Sequence, residues 1–179
     1  VIDLVAFTGS LHTAKEIHQN LSLKPGKIVP LIAETGGLNT MIVDSSALLE
    51  RACDDIMRSA FNSAGQRCSA LRLLLVHQEV YTDLLSMLKG AMNDLVIGAP
   101  DNLDTDIGPI ITLEALEKLK SYVIKMESEG NFCFQSSKPD IPKSGLWFSP
   151  TLIEIELSSM PDEEQFGPIL HVMSFSEDT

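Results

Sequence analysis

The feature that most constrains the fold of this chain is a regular alternation between two kinds of apolar pattern. Short apolar runs typical of β-strands lie at residues 3–8, 28–33, 40–43, 70–76, 132–135, 151–155 and 169–175. Apolar residues recur at helical spacing over residues 11–23, 47–61, 80–95 and 113–129. Strands that are separated by helices pair in parallel, because each helix carries the chain back to the same end of the sheet. The sequence therefore predicts an α/β fold with a mostly parallel, doubly wound sheet.

Polar residues mark the ends of these elements. Ser45 or Ser46 is predicted to cap the helix at residues 47–61, because a serine hydroxyl can accept a hydrogen bond from a free amide of the first turn. A turn-rich link follows at residues 62–67, and Gly, Pro, Asp and Asn mark a loop at residues 98–109. The run at residues 70–76 is predicted to be a buried strand.

Composition and charge exclude several classes of protein. The 179 residues carry 13 Lys and Arg against 25 Asp and Glu, which gives a formal net charge of −12. Such a chain cannot neutralise a row of phosphates, so no nucleic acid is predicted to bind this segment. No apolar run reaches the roughly 18 residues that a membrane-spanning helix needs, so no transmembrane segment is predicted.

The three cysteines indicate a reducing environment. Their number is odd and they form no C-x-x-C pair, which argues against a disulfide framework and against a zinc site. No metal is therefore predicted, and a cytoplasmic location fits best. Cys53 falls in a helical pattern and Cys133 in an apolar strand, so both are predicted to be small buried hydrophobes.

Cys68 has a different setting from the other two cysteines. It follows the polar link at residues 62–67 and precedes a predicted buried strand, so its thiol is expected to be accessible. Arg67 or a helix end could favour its thiolate form. On these residues alone, an ordinary exposed loop cysteine is the more common case.

Glu34 is the second candidate for chemistry. It follows the apolar run at residues 28–33 and precedes Gly36 and Gly37, whose missing side chains let a ligand approach the backbone closely. A partly buried carboxylate at this strand edge could act as a general base, although an ordinary strand-end acid fits these residues too. Gly9 and Ser10 lie at a strand-to-helix turn that would suit a pyrophosphate.

Taken together, these motifs resemble the NAD(P)-dependent aldehyde dehydrogenase superfamily. The order, spacing and residue types agree over nearly the whole chain: TGS at residues 8–10, ETGG at 34–37, GQRC at 65–68 and EQFGP at 164–168. Longer stretches are similar to the Δ1-pyrroline-5-carboxylate dehydrogenases that form modules of bacterial bifunctional proline utilisation proteins. These stretches are ETGGLN at 34–39, MIVDSSAL at 41–48, SAFNSAGQRCSALR at 59–72, GAM at 90–92 and DIGP at 106–109. Leu38 departs from this branch, which usually has a polar residue there.

The resemblance implies a catalytic role for two residues and a substrate contact for a third. Cys68 matches the nucleophile that attacks the aldehyde, and Glu34 matches the base that activates water to hydrolyse the resulting thioester. Ser69 matches the residue that bonds the carboxylate of the substrate. The implied substrate is L-glutamate γ-semialdehyde, the open form of Δ1-pyrroline-5-carboxylate, and the implied product is L-glutamate.

The resemblance also implies NAD as the cofactor. Glu164 matches the acid that bonds the nicotinamide ribose, and Phe166 matches the aromatic residue near the nicotinamide ring. Gly9 and Ser10 match the pyrophosphate loop, and the segment with Thr35 and Gly36 contributes to the same coenzyme site. FAD is expected only in a proline dehydrogenase domain of the parent protein.

The remaining expectations concern the chain as part of a larger protein. Residues 1–26 are expected to end an NAD-binding, Rossmann-like domain, and residues 27–179 to belong to an aldehyde dehydrogenase catalytic domain truncated at its C-terminal side. Such a fragment is expected to be inactive alone. The parent is expected to be a cytoplasmic homo-oligomer, able to lie peripherally at the inner membrane. Two alternatives remain: a dehydrogenase for a different semialdehyde, or a non-catalytic interaction module of the same fold.

Overall fold

The computed structural model describes residues 2–136, 141–142 and 144–176. The strands are β1 Val5–Thr8, β2 Leu31–Glu34, β3 Thr40–Val43, β4 Leu73–His77, β5 Phe132–Gln135, β6 Thr151–Glu154 and β7 Ile169–Phe175. The helices are α1 Leu11–Leu23, α2 Leu49–Phe61, α3 Gln78–Asp94 and α4 Leu113–Ser128. Short 3-10 turns lie at Asn62–Gly65 and Leu157–Ser159.

The chain forms two compact units, the first of which ends at Gly37. In this unit β1 and β2 pair in parallel and α1 connects them, with Val5 opposite Leu31. Ser10 caps α1, because its hydroxyl oxygen accepts a hydrogen bond from the amide of Thr13 at 3.1 Å. The pairing of β2 with β1 includes residues 31–34 in this unit.

The second unit contains a five-stranded sheet with the order β3-β4-β7-β6-β5. The pairs β3–β4, β4–β7 and β7–β6 are parallel, and β5 alone is antiparallel, to β6. This arrangement confirms the prediction of a mostly parallel sheet. The reversed strand lies at the edge, where it alters only one hydrogen-bonded ladder.

The core of the second unit lies on the central strands. Leu74 and Val76 of β4 and Leu170 and Val172 of β7 have no exposed surface. Burial on both faces explains why these strands are apolar at successive positions instead of alternating. The helices α2 and α3 pack against each other and contribute further fully buried residues, among them Ile56, Ala60, Leu84, Leu88 and Met92.

The cap of α2 and the burial of one cysteine differ from the predictions. The helix α2 begins at Leu49 and has no side-chain cap, because the Ser46 hydroxyl instead donates a hydrogen bond to the Asp44 carboxylate at 2.9 Å. Cys53 is buried as predicted, with 6% of its surface exposed. Cys133, however, is only half-buried, since it lies on the edge strand β5.

Within the described part of the chain, no helix combines the length and the apolar character that a membrane span requires.

Candidate active site

The exposed thiol of Cys68 lies in the loop between α2 and β4. We call residues 62–72 the Cys68 loop. Of the three cysteines, Cys53 is buried, Cys133 is half-buried and Cys68 is exposed. Ser69, the adjacent residue, is exposed as well. Burial raises the pKa of the Cys133 thiol to about 11, which leaves little nucleophilic thiolate at that cysteine near neutral pH.

The Cys68 loop opens with a left-handed turn. Ser63, Ala64 and Gly65 have φ angles of 58°, 53° and 64°. A left-handed conformation costs roughly 1–2 kcal/mol for a residue with a Cβ atom, so contacts elsewhere must hold this turn in place. Gly65 approaches Gly167 so closely that a Cβ atom built on Gly65 would collide with the carbonyl group of Gly167.

We expect Gly65→Ala to destabilise the protein by about 3 kcal/mol or more, because the left-handed backbone and the collision with Gly167 act together. Gly90→Ala is the matched control, since Gly90 lies in α3 and nothing surrounds its missing side chain within 4 Å. This control should be neutral or stabilise the helix by up to about 1 kcal/mol. Thermal denaturation of both variants checks the difference, and equal melting temperatures would contradict it.

Asn39, at the entrance to β3, fixes the centre of the Cys68 loop. Its side-chain amide donates hydrogen bonds to the carbonyl oxygens of Cys68 at 2.7 Å and Ala70 at 2.9 Å. Its own carbonyl oxygen accepts hydrogen bonds from the amides of Arg72 and Leu73. The orientation of the peptide groups around Cys68 is therefore set by a residue that immediately precedes the strand β3.

Two polar side chains attach the loop to its surroundings. The Arg67 guanidinium donates hydrogen bonds to the carbonyl oxygens of Arg58 and Ser59, each at 3.1 Å, near the C-terminal end of α2. The Gln66 side chain donates to the carbonyl of Pro109 and accepts from the amide of Ile111. Both residues follow the left-handed turn, and their bonds attach this part of the loop to α2 and to the segment at residues 109–111.

Arg72 is the most extensively bonded side chain of the site, and it is completely buried. Its guanidinium donates hydrogen bonds to the Gly65 carbonyl at 2.6 Å and the Gly167 carbonyl at 2.7 Å. A longer bond of 3.2 Å reaches the carbonyl of Arg67. Two further bonds, at 2.8 and 2.9 Å, end on Oε1 of Glu164. One buried cation therefore joins the Cys68 loop to residues 164–168, which we call the Glu164 segment.

The Glu164 segment carries two of the predicted coenzyme ligands. The Glu164 side chain is 9% exposed, and its Oε2 forms no hydrogen bond to the described part of the protein. Phe166 is 46% exposed, and its ring centre lies 5.8 Å from the guanidinium carbon of Arg72. The structure thus gathers Cys68, Ser69, Glu164 and Phe166 on segments that Arg72 connects.

The role of Arg72 was not predicted from the sequence. It lies within the run at residues 70–76 that was predicted to be a buried strand, and β4 begins only after it, at Leu73. A charge inside such a run requires a buried partner, since an unpaired buried charge is very costly. A charged residue within an apolar run could therefore have indicated a buried ion pair. The sequence does not identify its partner, because Glu164 is 92 residues away.

A buried histidine extends this network. His171 of β7 is 1% exposed, and its Nδ1 lies 3.1 Å from the carbonyl oxygen of Arg72. Because a carbonyl oxygen only accepts, Nδ1 carries the proton, and Nε2 accepts a hydrogen bond of 2.7 Å from the Tyr122 hydroxyl. Burial, with a smaller contribution from the nearby Arg72 charge, lowers the pKa of His171 to about 4 despite its hydrogen bond to the Arg72 carbonyl.

We expect this histidine to make the fold sensitive to acid. The unfolded chain binds a proton at His171 near pH 6.5 and the folded chain only near pH 4, so stability falls as the pH drops through this window. The loss from this one group is about 3 kcal/mol. Urea denaturation at pH 7, 5 and 4 should show a shallower decline for His171→Asn than for the wild type. Parallel declines would contradict the assignment.

Glu34, Gly9 and Ser10 lie together in the first unit. Glu34 is the last residue of β2, and its carbonyl oxygen accepts a hydrogen bond of 3.1 Å from the amide of Gly9. The Glu34 side chain is exposed, where partial burial had been considered from the sequence. Thr35 is half-buried and Gly36 is exposed.

No group of three or more His, Cys, Asp or Glu side chains suited to a metal ion occurs among the described residues.

Comparison with known proteins finds similarity over the whole chain. The sequence pattern of the aldehyde dehydrogenase family matches residues 1–179. The chain is 44% identical to the bifunctional protein PutA of Klebsiella aerogenes over 96% of its own length, and it spans 14% of that protein. It is 34% identical to a 1-pyrroline-5-carboxylate dehydrogenase of Bacillus mycoides, covering 93% of this chain and 33% of that enzyme.

Solved structures agree with the sequence relatives. A crystal structure of a Bradyrhizobium japonicum proline utilization A (PutA) mutant superposes with a TM-score of 0.92 at 43% identity, covering 99% of this chain and 18% of that one. Betaine aldehyde dehydrogenase from Staphylococcus aureus, in complex with NAD+, superposes with a TM-score of 0.90 at 32% identity, covering 98% of this chain and 35% of that one. This chain belongs to the aldehyde dehydrogenase family.

Proposed function

We propose that the protein oxidises L-glutamate γ-semialdehyde, formed from Δ1-pyrroline-5-carboxylate, to L-glutamate with NAD as the hydride acceptor, as a step of proline catabolism. The observation that carries this proposal is the exposed Cys68 thiol on a loop that Asn39, Arg67 and Arg72 hold in place. Similarity to PutA and to a 1-pyrroline-5-carboxylate dehydrogenase supports the choice of substrate.

The first step is assigned to Cys68. Its thiolate attacks the aldehyde carbon and forms a thiohemiacetal, in which the former carbonyl oxygen carries negative charge. The backbone N–H of Cys68 is the proposed donor to this oxygen. The bond from Asn39 to the Cys68 carbonyl supports this role, because it limits rotation of the adjacent backbone.

Features of each unit, taken separately, support NAD as the proposed coenzyme. In the second unit, Oε2 of Glu164 can accept a bond from a ribose hydroxyl and Phe166 offers an exposed aromatic face. In the first unit, Gly9 and Ser10 precede a helix whose first turn carries no acidic residue, which suits a pyrophosphate. Thr35 and Gly36 are the other proposed coenzyme contacts of this unit. When bound, NAD+ supplies the acceptor for the hydride that leaves the thiohemiacetal carbon.

The second half of the reaction is assigned to Glu34. Loss of the hydride leaves an acyl group on Cys68 as a thioester, and a water molecule must attack its carbonyl carbon. Glu34 takes a proton from that water, and the thiolate of Cys68 departs as the carboxylic acid forms. Ser69 is proposed to bond the carboxylate of the substrate, which selects a semialdehyde that carries an acid group.

A substrate comparison tests the proposal with the native protein that contains these residues. NADH formation is measured with L-glutamate γ-semialdehyde, with N-succinylglutamate 5-semialdehyde and with betaine aldehyde. We expect the highest kcat/KM for glutamate semialdehyde, and a Ser69→Ala variant should lower it mainly through a higher KM. Preference for another aldehyde would refute the substrate, and no oxidation of any aldehyde would favour a non-catalytic module.

A further inference from the structure

The contacts of Arg72 carry an inference that goes beyond the roles proposed so far. Among the residues that the structure describes, Arg72 is the only one whose side chain bonds both to the Cys68 loop and to the Glu164 segment. Its partners in the loop are backbone carbonyls on the N-terminal side of Cys68. Its partners in the segment are the Glu164 carboxylate and the Gly167 carbonyl.

A guanidinium is suited to holding several fixed acceptors at once. Its donors lie in one plane at fixed angles, so the positions of its acceptors are tied to one another. Hydrogen bonds from a charged donor are about twice as strong as neutral ones, and burial strengthens them further. Displacement of Glu164 would therefore disturb the bonds to Gly65 and Arg67.

Glu164 has one oxygen committed to Arg72 and one that is not. Oε1 accepts both bonds from the guanidinium, at 2.8 and 2.9 Å. This arrangement fixes the position of Oε1 and thereby limits where Oε2 can lie. The ring of Phe166 lies within cation–π range of the same guanidinium. Both predicted coenzyme ligands of this segment therefore interact with the charge of Arg72.

We propose that Arg72 is a positioning residue that couples the Cys68 loop to the Glu164 segment, so that the nucleophile and the ribose ligand keep one mutual arrangement. The inference rests on the proposed function for its coenzyme part. In this role Arg72 contacts neither the reacting atoms nor the ribose, and it acts through the residues that do. A lysine could keep the charge at this position but could not reproduce the planar set of bonds.

The test measures two quantities on the native protein and its variants. The first is the rate at which iodoacetamide alkylates Cys68 without coenzyme, mapped by mass spectrometry over a pH series. The limiting rate at high pH depends on the surroundings of the thiolate and not on the pKa of the thiol. The second is the dissociation constant for NAD from calorimetry. We expect Arg72→Lys to change the limiting alkylation rate at least about threefold and to weaken NAD binding about tenfold, equivalent to about 1.4 kcal/mol.

Two further variants separate coupling from a general loss of stability. Glu164→Gln leaves the residues of the Cys68 loop intact but weakens a bond to Arg72, so it too should shift the limiting alkylation rate; it decides the question if Arg72→Lys does not fold. Lys89→Met is the matched control, because it removes another ion pair of 2.8 Å, to Glu154, in the same unit. It should alter thermal stability while leaving both measured quantities unchanged.

The outcomes distinguish this inference from the proposed function. An unchanged limiting alkylation rate in both Arg72→Lys and Glu164→Gln would overturn the coupling, even where their melting temperatures fall. Equal changes in Lys89→Met would overturn it as well, since they would show an effect of stability alone. A wild-type protein that binds no NAD would instead refute the proposed function, and the alkylation rates would still decide the coupling.

Discussion

Cys68→Ser should reduce aldehyde oxidation by the native protein by a factor on the order of 10⁴ or more. A serine hydroxyl is almost entirely protonated near neutral pH, whereas a cysteine thiol supplies a usable fraction of thiolate. The thiohemiacetal would then form too slowly to sustain turnover. Steady-state NADH formation measures the loss, and circular dichroism establishes that the variant is folded.

Cys133→Ser is the matched control for this experiment. Cys133 is half-buried on the edge strand β5, and the pKa of its thiol is raised to about 11 by burial. We expect this variant to retain activity and the wild type to be alkylated first at Cys68. Activity that survives in Cys68→Ser, or that is lost in Cys133→Ser, would show that the nucleophile has been assigned to the wrong residue.

Glu34→Gln should slow turnover by a factor on the order of 10²–10⁴, the usual cost of losing a general base. An amide cannot take a proton from the attacking water, so the thioester on Cys68 would accumulate. Its formation does not require that base, and the variant should still release a first burst of NADH. Rapid mixing of native protein with excess semialdehyde and NAD measures the burst and the slow phase separately.

The burst distinguishes the two halves of the reaction. If Glu34→Gln abolishes the burst but leaves hydrolysis of a preformed thioester unchanged, Glu34 acts before the hydride leaves and the role proposed for it is wrong. Glu16→Gln is a suitable control, because Glu16 is an exposed acid of the same unit on α1. It should leave both phases at their wild-type rates.

Much of the fold could be predicted because its local patterns agree with its tertiary structure. The bounds of β3, β5 and β7 and of the helix α1 match the predicted ranges. The differences have local physical causes. β2 begins at Leu31 and not at residue 28, since the preceding residue, Pro30, has no amide hydrogen to contribute to a strand ladder. Ser46 was a plausible helix cap, but Asp44 takes its hydroxyl.

The candidate site was only partly predictable. The exposure of Cys68 followed from its polar surroundings, because no apolar pattern includes it. The network around Arg72 did not, since its acceptors lie as far away as Glu164 and Gly167, and backbone carbonyls leave no trace in a sequence. The strand-end position of Glu34 could be predicted, since Glu34 is the last residue of β2, but the exposure of its side chain could not be predicted from the apolar pattern alone.

The hold of Asn39 on the Cys68 loop has a consequence for how reactivity arises during folding. Its two bonds span 29 and 31 residues, so they require Asn39 to reach the Cys68 loop, as it does where β3 pairs with β4. Parallel pairing of this kind depends on non-local contacts, which form slowly. The nucleophile therefore reaches its final arrangement only when β3 and β4 have paired. The alkylation rate of Cys68 can be used to follow the pairing of these two strands during refolding.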